Sequence, residues 1–280
     1  MKKYIVLLIF FTCMIGLYLG HLHWKNKTVE ASIEGRKTTE KFTEKENLDK
    51  AALKKMLSPE NNKSQSLVDY LRYKAITQNK ASIAVIGSNI TAGTGATSIS
   101  NTWPQLLKGK LKAEYQELNS IELYTFGFEG YSTVDLLKSK KIDQMIAEKP
   151  DLVIFENSII NDYSQSINLK QTQKNIEDIM SKIQKGLPNS KLLMMSPNPI
   201  VNSNNPNSIN LSFLDYVKAS EQLINKNKWS YINIISGMNE KIKSNHILLV
   251  DILSNDYLHP NNWGYQLLFE VLYDQLKKQN

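Results

Sequence analysis

From Ala81 to the C-terminus, short apolar runs of β-forming residues alternate with longer stretches of helical periodicity, and this alternation restricts the chain to one fold class. Strand candidates fall at 82–87, 121–126, 151–156, 191–196 and 230–234, with a weaker one at 247–252. Helix candidates fall at 103–114, 133–147, 168–186, 211–227 and 262–278. Strands joined through helices lie parallel, with right-handed crossovers, because a hairpin cannot make that connection. Repetition of the unit predicts an α/β domain with a parallel sheet covered by helices on both faces. Ligands of such sheets bind at the carboxyl ends of the strands. The loops that follow the strands are therefore where chemistry is expected.

Three of those loops carry polar residues at the expected places. Gly87-Ser88-Asn89-Ile90-Thr91-Ala92-Gly93 follows the first strand candidate, Gly127-Phe128-Glu129-Gly130-Tyr131-Ser132 the second, and a segment containing Asn161-Asp162 the third. Near the C-terminus, Asp256-Tyr257-Leu258-His259-Pro260 leads through Asn261-Asn262-Trp263-Gly264 into the last helix candidate. Taken singly, an Asp-x-x-His before proline reads most simply as a loop hydrogen bond, and Asn-Asp as a turn or helix cap. A phosphate loop would need a Gly-Lys-Ser/Thr ending, which is absent. The glycines at 87, 93 and 95 do not have dinucleotide-binding spacing.

In order and spacing, over about residues 81–278, these segments resemble the SGNH/GDSL hydrolase family. The resemblance implies a three-layer α/β/α sandwich with a mostly parallel five-stranded sheet, the flavodoxin-like fold of that family. It also implies ester chemistry on acyl or O-acetyl groups through an acyl-enzyme, with no metal or organic cofactor. Residues 87–93 match the family's Gly-Asp-Ser-(Leu/Ile)-Thr-x-Gly block, so Asn89 stands at the nucleophile position and Ser88 at the aspartate. Gly130 matches the glycine whose N–H helps form the oxyanion hole. Asn161 matches the asparagine of Gly-x-Asn-Asp that supplies the other donor, with Ile159 in place of that block's glycine. Asp256 and His259 match the Asp-x-x-His of the last block, and Trp103-Pro104-Gln105-Leu106-Leu107 looks like the helix after the first.

Ester cleavage by a serine needs a base for its proton, a carboxylate to orient that base, and donors aimed at the developing oxyanion. Losing one oxyanion donor costs about 10² to 10³ in rate. Losing the nucleophile costs on the order of 10⁶. Asn89 has no hydroxyl, so three readings stand at the level of sequence. The site is catalytically silent and the domain binds; or the neighbouring Ser88 turns toward His259; or Asp256 and His259 activate water, with Asn89 as an extra donor. The partner implied is an ester-bearing small molecule or a cell-envelope glycan or lipid. Tyr131 and Trp263 are candidate wall or sugar contacts, and Glu129 and Glu156 either contact substrate or are solvated loop residues.

The N-terminal part reads differently. Lys2 and Lys3 precede an apolar run from Tyr4 to Gly20, interrupted only by Thr12, which is long enough for a secretory signal or a short anchor. The only small-residue cleavage pattern, Val29-Glu30-Ala31, is distant and poor, so an uncleaved anchor is expected, with the domain outside the cytoplasm; secretion after cleavage is the alternative. Residues 1–24 are thus read as anchor, 25–62 as a polar stalk with one short helix around Leu48 to Met56, and 63–280 as the hydrolase-like domain. A helix at about 64–78 leads the domain, its apolar residues Leu67, Tyr70, Leu71 and Ala75 recurring at helical spacing.

Charge supports that division. The net +7 comes from residues 1–80, with 15 Lys/Arg against 8 Asp/Glu, whereas 81–280 carry 19 of each. A domain without a basic excess is a poor nucleic-acid binder, so none is expected as a partner, while a basic stalk suits a membrane or an anionic wall polymer as well as plain solvation. Cys13 is the only cysteine, which excludes an intrachain disulfide, and it reads as a small apolar anchor residue. His21 and His23 lie at the anchor boundary and His246 opens the weak strand candidate. None has metal-ligand spacing.

Overall fold

The computed structural model describes residues 2–279. These fall into two compact units, one ending at Met56 and the other beginning at Leu57. The first is a helix, α1 (Lys2–Leu57), whose N-terminal part is long and apolar enough to cross a membrane and is nowhere buried. The sequence reading placed only a short helix at 48–56 within an irregular stalk; the helix is instead continuous. No proline interrupts it before Pro59, and its lysines, glutamates and alanines are good helix formers. Its threonines are accommodated by back-bonding: Thr38 and Thr39 donate to the carbonyls of Glu34 and Gly35.

The second unit opens with α2 (Leu67–Gln78), capped by Ser66, whose hydroxyl accepts from the Asp69 N–H at 3.0 Å. Its sheet contains β1 (Ser82–Gly87), β2 (Glu122–Gly127), β3 (Leu152–Glu156), β4 (Lys191–Met195) and β5 (Tyr231–Ile232). All neighbours are parallel, in the order β2-β1-β3-β4-β5. The central β1 and β3 are buried along their whole length, which is why they read as unbroken apolar runs, while the edge strand β2 is only partly covered.

Between these strands lie the short α3 (Asn89–Ala92), then α4 (Trp103–Glu114), α5 (Thr133–Lys138), α6 (Lys141–Ala147), the short α7 (Ile159–Ser164), α8 (Leu169–Gly186), α9 (Phe213–Asn227), α10 (Ile234–Ser244) and α11 (Asn262–Leu276). Helices α4, α10 and α11 pack together as one layer; α5, α6, α8 and α9 form the other. The stripe Thr172, Asn175, Ile176, Ile179, Met180 and Ile183 of α8 is buried at helical spacing. A three-layer α/β/α sandwich on a five-stranded sheet results, as expected.

Local chemistry accounts for the departures. The segment 133–147 is two helices rather than one, because Ser139 is extended (φ −83°, ψ 161°) and breaks the run. The weak strand candidate 247–252 is a 3₁₀ turn at Leu249–Ile252, closed by Asp251, whose carboxylate accepts from the Leu248 N–H at 3.0 Å. Helix α10 was hidden by Ser236 and Gly237; the glycine is required because a Cβ there would run into the side chain of Val271 on α11.

Gly127, at the end of β2, lies in tight surroundings. A Cβ there would meet the backbone of Thr91 and Ala92 in α3, so β2 and α3 touch only because the residue is glycine. Gly127→Ala is expected to lower unfolding stability by about 1–3 kcal/mol, read by denaturant titration, since a rigid backbone rather than a movable side chain must yield.

Candidate active site

The chain leaves β1 toward β2 on one side and returns to β3 on the other, so the carboxyl ends of β1 and β3 flank the point where the strand order reverses. Two consecutive residues after β1 face opposite ways there. Ser88 is completely buried, and both its N–H and its hydroxyl donate to Glu156 Oε2, at 2.7 and 2.9 Å. Glu156 closes β3 and is itself fully buried; its Oε1 accepts from the Ser158 N–H at 2.9 Å. Burial pushes the Glu156 carboxyl above its usual range, against the pull of the Ser88 and Ser158 donors.

Asn89 faces the solvent side of this arrangement and is only partly buried. Its Nδ2 lies 2.9 Å from His259 Nε2. Its Oδ1 accepts two hydrogen bonds, from the Gly130 N–H at 2.5 Å and from Asn161 Nδ2 at 2.9 Å. Only one orientation of the amide satisfies the network, because Oδ1 is met by two groups that can only donate. Nδ2 therefore points at the imidazole, and since it too can only donate, His259 Nε2 accepts and the ring proton sits on Nδ1. There it meets Asp256 Oδ2 at 2.6 Å. The imidazole is thus neutral and held in the tautomer a general base requires.

Each corner has its own support. Asp256 Oδ1 accepts from the N–H groups of Leu258 and His259 at 2.9 and 3.0 Å and from the Ser254 hydroxyl at 2.8 Å. Burial works against its charge, but the His259 and Leu258 donors and the Ser254 hydroxyl outweigh it and hold the carboxyl well below the usual range. Gly130 has φ +74° and open space where a Cβ would stand, which leaves its N–H approachable. Asn161, on α7, also donates to the Tyr131 carbonyl at 2.9 Å, which fixes its amide. Its neighbour Asp162 accepts from the Thr133 N–H and hydroxyl, both at 2.8 Å, and from Thr172 at 2.6 Å, tying the Gly130 loop to α7. Burial raises the Asp162 carboxyl above its ordinary value.

The structure brings Asn89, Gly130, Asn161, Asp256 and His259 into one hydrogen-bonded cluster and turns Ser88 away from it. Glu156 is not at the pocket surface but beneath it, binding Ser88. Glu129 is exposed and accepts from Thr94 at 3.0 Å. Tyr131 packs at a tilt of 37° against Phe128, 5.1 Å between ring centres, and Trp263 is exposed at the start of α11. His246 is exposed after α10. Sequence reasoning missed Ser254, whose position two residues before an aspartate is a turn signal. It also missed Gln165, which donates to the Gly130 carbonyl at 2.8 Å, and buried Asn198, which donates to the Leu258 carbonyl at 2.8 Å; neither pattern carries a local signal. Among the described residues no three His, Cys, Asp or Glu side chains are grouped to hold a metal ion.

Glu156→Ala would leave four buried donors, the Ser88 N–H and hydroxyl, the Thr91 hydroxyl and the Ser158 N–H, without this acceptor, and each such loss costs about 1–3 kcal/mol. A marked drop in the urea midpoint is the expected outcome. Asp256 titrates lower when folded than unfolded (about 3.9 unfolded), so it favours the fold above that value and its contribution fades as the pH falls below it. Asp256→Asn should therefore lower the melting temperature by a constant margin from neutrality down to about pH 4, with the gap to the parent narrowing only as the pH is taken below about 4.

The geometry can be set beside known proteins. The GDSL-like lipase/acylhydrolase family matches residues 85–267, which include all five clustered residues. Comparison with curated proteins gives no match. Among solved structures, a two-domain esterase active on acetylated mannans superposes with a TM-score of 0.59 at 17% identity, over 75% of this chain and 54% of that one. This chain thus spans about half the length of that esterase. An acetylxylan esterase from Geobacillus stearothermophilus, in a catalytic mutant form, gives 0.56 at 18% identity, over 70% of this chain and 94% of that one. A member of the lipolytic G-D-S-L family from Veillonella parvula gives 0.54 at 13%, over 69% and 97%. At these identities the likeness is one of fold. The family match covers well over half of the chain, and this chain belongs to the GDSL-like lipase/acylhydrolase family.

Proposed function

We propose that the domain recognises an acyl or O-acetyl ester of a cell-envelope glycan or lipid, through a pocket that as encoded forms no acyl-enzyme. In this reading residues 1–24 anchor it, 25–62 form the stalk and 63–280 lie outside the cytoplasm; Lys2 and Lys3 ahead of the apolar run favour that orientation. The observation that carries the proposal is the Asn89 carboxamide, whose oxygen sits on the Gly130 and Asn161 donors and whose nitrogen covers the His259 base. An amide nitrogen shares its lone pair with the carbonyl and does not attack an ester. Ser88 does not replace it, since its hydroxyl is committed to Glu156 beneath the loop. Acetylated glycans as the ligand class are supported by what the mannan and xylan esterases of the same fold act on.

A hydrolytic reading retains one observation in its favour, the Asp256–His259 pair with its orienting hydrogen bond. Exposing the whole chain, Ser88→Ala and Asn89→Ser to a fluorophosphonate probe and a short-chain acyl ester separates the two. The parent and Ser88→Ala should stay unlabelled, and Asn89→Ser should gain labelling and turnover. The gap between parent and Asn89→Ser should approach the factor of about 10⁶ that a missing nucleophile costs. Labelling of the parent that vanishes in Ser88→Ala would overturn the proposal.

A further inference from the structure

The Asn89 side chain is held as an amide substrate of this kind of site would be. Its oxygen rests on two donors at 2.5 and 2.9 Å, and its nitrogen lies 2.9 Å from an imidazole that Asp256 orients at 2.6 Å. What the arrangement lacks for amide cleavage is a nucleophile at the carbonyl carbon. Asn89 is only partly buried, so solvent reaches it. We propose that the site hydrolyses its own asparagine, converting residue 89 to aspartate with release of ammonia. The inference rests on the Asp256–His259 pair and the Gly130 and Asn161 donors being competent, as the proposed function assumes.

The step balances with water as the only co-reactant. A water oxygen bonds to Cγ of Asn89 while His259 Nε2 takes its proton, and the negative charge that develops on Oδ1 falls on the Gly130 N–H and Asn161 Nδ2. Collapse breaks the Cγ–Nδ2 bond, and the proton on Nε2 passes to the departing nitrogen, which leaves as ammonia. The new carboxyl ionises. Its carboxylate keeps one oxygen on the same two donors and turns the other toward His259, so a neutral contact becomes an ion pair.

The usual route to the same change is disfavoured here. It requires the following backbone nitrogen to attack Cγ and close a five-membered imide. Asn89 opens α3, and the following Ile90 is β-branched and fully buried, so the backbone is not free to fold onto the side chain. Imide opening also yields isoaspartate, whereas direct hydrolysis yields only aspartate, so the product identifies the path.

The test is peptide mass spectrometry of the purified whole chain, kept folded in oxygen-18 water near neutral pH and sampled over days. The expected result is progressive conversion of residue 89 to ordinary aspartate carrying one solvent oxygen. His259→Gln and Asn161→Ala, checked for native circular dichroism, should slow it by at least about 100-fold, as should unfolding the parent in urea. Residue 89 remaining asparagine in the parent, an unchanged rate in His259→Gln or in urea, or an isoaspartate product would overturn the proposal. Esterase activity of Asn89→Ser alongside an inert Asn89 would overturn this inference alone. An inactive Asn89→Ser with an inert Asn89 would remove the shared premise as well.

Discussion

The buried carboxylate of Glu156 is the constraint on which the site depends. It sits at the end of β3, in parallel register with β1, where Phe155 pairs with Ile86. It fits there because Gly87 has no side chain; a Cβ on Gly87 would come 2.5 Å from Glu156 Oε2. A carboxyl in such a place is costly unless hydrogen-bonded, and Ser88, Thr91 and Ser158 supply the donors. Their engagement pulls Ser88 down and in. Asn89, one residue on, is thereby sent up and out, and its contacts with His259, Gly130 and Asn161 follow from that alternation.

The pocket that results is satisfied rather than broken. Donors at Gly130 and Asn161 find an acceptor, the imidazole finds a donor, and Asp256 finds the far side of the ring. Each hydrogen bond of this kind contributes only about 0.5–1.5 kcal/mol net, because water can replace the partner. Water or another acceptor can therefore replace the Asn89 oxygen on these donors at modest cost. The Asp162 tether works in the opposite sense, holding the two donors in place whether or not Asn89 occupies them.

The fold was legible because its signal is periodic and local. Strands β1 to β4 fall within a residue or so of where unbroken apolar runs place them, and α4, α8 and α11 follow from their spacing. Helix α10 was not legible, since its glycine is explained by Val271 on a distant helix. The Leu249–Ile252 turn was misread because its apolar residues resemble a strand and the deciding contact is one carboxylate. The cluster of Asn89, Gly130, Asn161, Asp256 and His259 could be assembled from motif order alone. The inward turn of Ser88 could not, because it depends on a glutamate 68 positions away that reads as a surface residue.

The completeness of the surrounding network has a genetic meaning. Asparagine and serine codons can differ by a single base, so one transition at residue 89 would place a hydroxyl side chain on the side of the loop that faces the His259 imidazole, which Asp256 already orients. Asp162 and Glu156 tie the surrounding loops together through hydrogen bonds that do not involve residue 89. One base change therefore separates this site from one with serine at residue 89.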